Sequence, residues 1–279
     1  MMGKTSLKEL VYFGKSGSFT HAIAKKIGKS RTLISKDTIA EVLDYVRQDL
    51  SREAIVPIEN SSGGMIVATI DELVSSENSL VIKEEYSLNV KLHLMAKGPS
   101  KILKIYSHFV PFHHCTQWLK SNHPHAEQVV VNSTSEAAKL VSMEKNAAAI
   151  AQISSAKEYN LKILNRNIGD YATNITQFYL LGHPSKDRKK GEETSLSVVL
   201  RNKAGSLHDF LSIFAKNGVN LKRIMSRPIP GRVNNYVFFF SVEADINDPS
   251  MQKSVKQAGK LTPDLRVLGS YPVHPPFDS

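Results

Sequence analysis

The chain reads as an α/β protein in two parts, a larger core of two lobes ending near residue 185 and a smaller ferredoxin-like unit after it. Three observations predict this. Short apolar runs alternate with amphipathic helical segments up to residue 182. A charged stretch at 186–193 then interrupts the pattern, and beyond it the order becomes strand, helix, strand, strand, helix, strand.

In the core, residues 10–13 are a short apolar strand that breaks at Gly14-Lys15-Ser16-Gly17-Ser18. Phe19, Ile23 and Ile27 follow at helical spacing, with Gly28 as the stop. A glycine-bearing loop ahead of a helix offers backbone N–H groups to an anion, although the lysine and full spacing of a Walker sequence are missing. Ile39, Val42, Leu43, Val46 and Leu50 mark a second helix, and residues 54–58 a strand that ends in the polar run Glu59-Asn60-Ser61-Ser62-Gly63-Gly64. Thr69 precedes a third helix with Ile70, Leu73 and Val74.

Residues 86–95 alternate apolar and polar side chains and predict a strand long enough to pass between the lobes. Residues 102–106 form another strand, followed by Ser107-His108 and a helix carrying His113, His114, Cys115 and Trp118. These histidines lack partners at ligand spacing, so no metal is expected. A strand at 128–131 leads to Ser133-Thr134-Ser135-Glu136, which fits a capping box, and strands at 147–151 and 161–164 complete the alternation. The core closes with 168–182, a polar loop turning into an apolar strand, with Thr176, Gln177 and Phe178 at the junction. Such junctions are where α/β sheets keep their ligands.

Composition narrows the classes of function. Of 279 residues, 41% are hydrophobic and 22% charged, ordinary for a globular protein, and no apolar run approaches the roughly 20 residues that cross a bilayer. Residues 1–6 carry a charge with no apolar stretch behind it, so no secretory signal is expected. One cysteine, Cys115, excludes an internal disulfide framework and suits a reducing cytoplasm. The net charge of +10 is spread thinly, and its densest run, Lys186-Asp187-Arg188-Lys189-Lys190, reads as a solvated linker. With Trp118 the single tryptophan and no aromatics interleaved with basic residues, neither nucleic acid nor a membrane is an expected partner.

Together these motifs resemble prephenate dehydratase over nearly the whole chain. Tyr12-Phe13-Gly14 and Ser18-Phe19-Thr20-His21 are similar to the family's opening Gly-Thr-Phe-Ser loop, and Pro57-Ile58-Glu59-Asn60-Ser61 to its Pro-Ile-Glu-Asn motif, with Thr69 downstream. Tyr106-Ser107-His108 is similar to its Ser-His segment, and Thr176-Gln177-Phe178 stands at its Thr-Arg-Phe signature. Gly205-Ser206-Leu207 and Met225-Ser226-Arg227-Pro228 resemble the Gly-Ala-Leu and Glu-Ser-Arg-Pro motifs of an ACT regulatory domain.

The resemblance implies a catalytic domain at 1–185 like a type II periplasmic-binding-protein fold, with lobe one at about 8–85 and 168–183 and lobe two at about 86–167, and an ACT domain at 194–279. It implies the conversion of prephenate to phenylpyruvate on the route to phenylalanine, a carbon–oxygen lyase reaction needing no cofactor or metal. With no chorismate mutase segment ahead of the core, the expected form is monofunctional. Thr176 is expected to hydrogen bond to the leaving hydroxyl, with Ser18, Glu59, Asn60, Ser61, Thr69, Ser107, His114, Gln177 and Phe178 around the substrate. Feedback by phenylalanine is expected at Gly205, Ser206, Leu207, Ser226 and Arg227, in a homodimer or homotetramer. A prephenate decarboxylase, an arogenate dehydratase and a phenylalanine sensor without catalysis are the alternatives.

Two departures bear on the site. Gln177 replaces the signature's arginine, whose charge-assisted hydrogen bond is worth about 1.5–3 kcal/mol. If the strand includes Thr176, alternation turns Gln177 to the opposite face, and the missing charge is structural. His114 stands where the family commonly has glutamine; it can donate and carry charge, so it is expected to supply part of what Gln177 lacks.

Overall fold

The computed structural model describes residues 8–171, 173–232 and 234–278. The first lobe is built from β1 (Glu9–Phe13), α1 (Phe19–Gly28), β2 (Thr32–Lys36), α2 (Ile39–Arg47), β3 (Arg52–Asn60), β4 (Gly64–Met65), α3 (Val67–Val74) and β5 (Val81–Asn89). The second lobe contains β6 (His93–Ala96), β7 (Lys104–Ser107), α4 (Phe109–His114), α5 (Thr116–Asn122), β8 (Glu127–Val130), α6 (Thr134–Met143), β9 (Ala147–Ala151), α7 (Ile153–Glu158) and β10 (Lys162–Asn165). The chain returns to the first lobe as β11 (Ile175–Gly182).

Local chemistry sets these boundaries. At the start of α2 the Thr38 hydroxyl accepts from Glu41 N while the Glu41 carboxylate accepts from Thr38 N, and Ile39, Val42, Leu43 and Val46 form the buried face. Ser133 caps α6 as its sequence predicts, although the Glu136 carboxylate takes the N–H of Asn132 rather than that of Ser133. The run 86–95 is not one strand: it divides at residues 90–92, where Val90 N donates to Asn174 O and the chain passes from one sheet to the other.

Both lobes repeat one strand order. Lobe one runs β2-β1-β3-β11-β5 and lobe two β8-β7-β9-β6-β10. In each, three parallel strands are followed by an antiparallel one, which in lobe two is the strand that enters the lobe and in lobe one the strand that returns to it. This two-lobed arrangement is the one the resemblance implies.

The C-terminal domain comprises β12 (Glu193–Val199), α8 (Ser206–Lys216), β13 (Leu221–Pro228), β14 (Tyr236–Val242), α9 (Pro249–Ala258) and β15 (Asp264–Tyr271), in an antiparallel sheet ordered β13-β14-β12-β15. One face, with Leu196, Val198 and Phe240, packs under the helices against Phe210, Phe214 and Met251. The other face continues the core of lobe one, where Phe239, Leu268 and Tyr271 meet Val11, Val56 and Tyr179. A final strand, β16 (Phe277–Asp278), pairs with β5. The charged linker is not wholly solvated: Arg188 holds Asp245 at 2.8 Å and Lys189 holds Glu84 at 2.8 Å.

Candidate active site

The site forms where β11 begins. In its antiparallel pairing with β3, Thr176 lies opposite Asn60 and Gln177 opposite Glu59. The register then slips so that Phe178 faces Pro57, leaving Ile58 as the extra residue of a bulge. Residues opposite one another project to the same face, and neighbours along a strand to opposite faces. Asn60 and Thr176 therefore share one side of the sheet, and Glu59 and Gln177 share the other.

On the first side the geometry sets the direction of a proton. Asn60 Oδ1 accepts from Ser62 N at 3.1 Å and Gly63 N at 2.9 Å, so the other amide atom is the donor. That Nδ2 reaches Asn174 Oδ1 and Thr176 Oγ1, both at 3.0 Å. Thr176 Oγ1 must accept here, and no acceptor among the described residues takes its own proton. Ser61 closes the junction from above: its N–H donates to Ile175 O at 2.9 Å and its hydroxyl accepts from Ile175 N at 3.1 Å.

Asn174 and His114 line a hollow of about 310 Å³, together with Asn89, Lys91, Asp170 and Tyr171. Its volume lies at the lower end of ligand pockets, about 300–1,000 Å³. His114 is 2% exposed, its Nε2 has no partner among the described residues, and the Tyr171 ring meets it edge-on at 5.8 Å. Burial, followed by neighbouring His113, lowers the pKa of His114, so the imidazole is neutral near pH 7. The expectation that it contributes charge is thereby corrected: it offers a neutral donor or acceptor.

The two lobes also touch at the loop after β1. Gly17 O accepts hydrogen bonds from Gln152 Nε2 and, at 3.2 Å, from Ser155 Oγ of lobe two. Gly17 has φ of +81°, and a Cβ there would stand 3.3 Å from the hydroxyls of Ser135 and Ser155. Only glycine suits both the backbone and the approach. These hydrogen bonds join the amino ends of α1 and α7, with Ser135 of α6 beside them, and α1 is capped by Ser18, whose hydroxyl accepts from His21 N at 3.2 Å.

Other expected site residues are engaged elsewhere. The Thr69 hydroxyl donates to Pro57 O at 2.6 Å and Ser107 Oγ to Ile150 O at 2.9 Å, both fully buried as ties between elements. Phe178 is fully buried among Leu10, Ile23 and Ile55, supporting the junction from beneath. Gln177 Nε2 donates to Glu85 Oε1 at 3.0 Å on the face toward the C-terminal domain, and Glu59 pairs there with Arg223 Nε at 2.7 Å. The alternation argument for Gln177 agrees with this geometry: its side chain points to the cluster around Glu85 and not to the face of Thr176. In the C-terminal domain, Gly205 caps α8 with φ of +86° just ahead of Ser206 and Leu207, Ser226 is exposed on edge strand β13, and Arg227 pairs with Asp71 of α3 at 2.5 Å.

Asn174 was missed. It stands two residues before Thr176 and shares its face, so alternation could have found it, but its loop shows no periodicity. Gln152 and Ser155 gave no signal because α7 has six residues, too few for a helical pattern.

Residues 10–186 match the family model of prephenate dehydratase, well over half of the chain. The chain belongs to the prephenate dehydratase family. Residues 194–260 match the ACT domain model. The bifunctional chorismate mutase/prephenate dehydratase of Pseudomonas aeruginosa is 35% identical over 268 residues, 95% of this chain and 73% of that protein. The prephenate dehydratase of Lactococcus lactis subsp. lactis is 32% identical over 276 residues, 95% of this chain and 98% of that one. The crystal structure of prephenate dehydratase from Arthrobacter aurescens, in complex with L-Phe, superposes with a TM-score of 0.86 at 29% identity, covering 95% of this chain and 90% of the other.

Proposed function

We propose that this chain converts prephenate to phenylpyruvate, with loss of carbon dioxide and water, for L-phenylalanine synthesis. The observation that carries this reading is the direction of the Asn60–Thr176 hydrogen bond beside the hollow. Because Asn60 donates to it, the Thr176 hydroxyl keeps its own proton for a departing hydroxyl, which needs a donor. As the ring C–O bond breaks, the carboxylate C–C bond supplies its electron pair to the ring, which becomes aromatic. One proton is consumed, and hydroxide leaves as water. The family's activity and the fit of a neutral donor site to a reaction that is downhill once the ring aromatises both support this assignment.

Within the site, Thr176 is the catalytic donor, Asn60 orients it, and His114 offers a neutral contact. Ser18 and the amino end of α1, held against α7, suit a substrate carboxylate. Incubating the protein with prephenate at neutral pH and reading the phenylpyruvate enolate in alkali tests the reading. Product supports it, and loss of substrate without phenylpyruvate assigns the chain to a decarboxylase instead.

The C-terminal domain is proposed to bind phenylalanine at Gly205, Ser206, Leu207 and Ser226, across a homodimer contact along β13. Its support is an edge strand with Ile224 exposed, bordered by exposed Tyr236 at the start of β14, and the L-Phe bound to the Arthrobacter relative. Arg227 has its partner in Asp71, so its part would be to anchor that strand to α3. The buried lone cysteine supports a cytoplasmic setting, and among the described residues no helix is long and apolar enough to cross a membrane.

A further inference from the structure

Behind the junction, on the side away from Thr176, three carboxylates converge on one guanidinium. Arg223, on β13 of the C-terminal domain, has a side chain 2% exposed. Its Nε donates to Glu59 Oε2 at 2.7 Å, Nη1 and Nη2 donate to the two oxygens of Glu85 at 3.0 Å each, and Nη1 also reaches Glu193 Oε2 at 3.1 Å. Lys222 is paired with Glu193 and, at 3.5 Å, with Glu85, while neutral Gln177 donates to Glu85. Among the described residues, Arg223 is the one cation that reaches Glu59.

Glu59 directly precedes Asn60, and both follow the bulge at Ile58. Their side chains leave opposite faces of one strand end, so the backbone torsions that seat the Glu59 carboxylate on Arg223 also aim the Asn60 amide at Thr176. Past the bulge this strand end is held by the two-residue pairing with β4, by the pairing with β11 and by the Asn60 turn. The pairing of Glu59 with Arg223 is its side-chain anchor on the far face.

We infer that Arg223 is a positioning residue for dehydration, reaching from the C-terminal domain through Glu59 to fix the Asn60 amide that orients Thr176. The inference rests on the dehydratase reading above. It makes the second domain a part of the basal active site, in the absence of any regulator, because a strand end free to shift misaims the hydrogen bond on which the leaving group depends.

The test compares Glu59→Gln, Arg223→Lys and the double variant in the full chain, measuring kcat and KM for prephenate and the thermal midpoint. Glu59→Gln leaves Arg223 on its two buried carboxylates, so its fold is the safer of the two. It is expected to lower kcat about tenfold with KM within about twofold, and to leave the midpoint within about 3 °C. Arg223→Lys is expected to fall between it and the unaltered protein, and the double variant to be no slower than Glu59→Gln, since both weaken the same charge-assisted link. A Glu59→Gln enzyme with unchanged kcat, with KM altered instead, or with a further loss multiplied in by the second substitution would overturn the inference. Should Arg223→Lys not fold, the Glu59→Gln result decides alone. Absence of turnover in the unaltered protein would defeat the dehydratase reading itself, a different result from unaltered turnover in the variant.

Discussion

A hydrogen bond has a direction, and at Thr176 a neighbour sets it. Asn60 gives its oxygen to the turn at Ser62 and Gly63, which leaves only N–H groups to face Thr176. Asn60→Asp keeps the shape and the turn but reverses that bond: a carboxylate can only accept, and the Thr176 proton would turn inward. The expected outcome is a fall in kcat of about a hundredfold, with the thermal midpoint changed far less; equal turnover would show that the orientation of the hydroxyl does not matter. At this scale the sequence is legible in part. Strand alternation separates Thr176 from Gln177, and the structure puts the two on opposite faces. It does not reveal that Thr69 and Ser107 spend their hydroxyls on the carbonyls of Pro57 and Ile150, because a buried tie and a substrate donor use the same residue types. Burial also decides the state of His114, and no spacing rule carries burial of a single ring.

Among the elements, those with a clear apolar period were readable and those serving two sheets were not. The α2 helix shows both its cap and its stripe, whereas the run 86–95 alternates without interruption although its backbone changes sheets at residues 90–92. The linker was misread for a related reason: its charges look solvated until a partner distant in sequence appears. Arg188 takes both oxygens of Asp245 at 2.8 Å, and the Asn247 N–H adds to them. Arg188 beside it holds the Asp245 carboxyl far below the usual carboxylate range. A depressed carboxyl stabilises the fold above its unfolded value, about 3.9, and loses that contribution as pH falls toward the folded value. Asp245→Asn should therefore destabilise the protein by about 1.5–3 kcal/mol near pH 7. The gap between variant and parent should narrow toward pH 3 in denaturant titrations, and a gap independent of pH would contradict the ion pair. At β13 and α8, a rise in thermal midpoint with L-phenylalanine is the expected response, and no shift at saturating ligand would remove the proposed regulatory site.

For the whole molecule the domain count was legible but not how closely the domains join. The sheet of the C-terminal domain shares its apolar face with lobe one, and the hydroxyls of Tyr179 and Tyr271 meet at 2.9 Å across that boundary. Arg223 and Arg266 add polar ties, the latter to the carbonyls of Val74 and Ser75. Sequence periodicity marks a strand's apolar side without naming what covers it. Two domains sharing a core should melt together, so calorimetry is expected to show one transition, and two separate ones would mean the boundary is weaker than its packing. Catalysis, on this account, depends on a single neutral hydroxyl held by the first lobe and steadied from the second domain. The most direct test is phenylpyruvate formation by Thr176→Val, which keeps the volume and removes the donor. The account predicts a kcat at least about a hundredfold lower with the thermal midpoint nearly unchanged; turnover equal to that of the unaltered enzyme would contradict it.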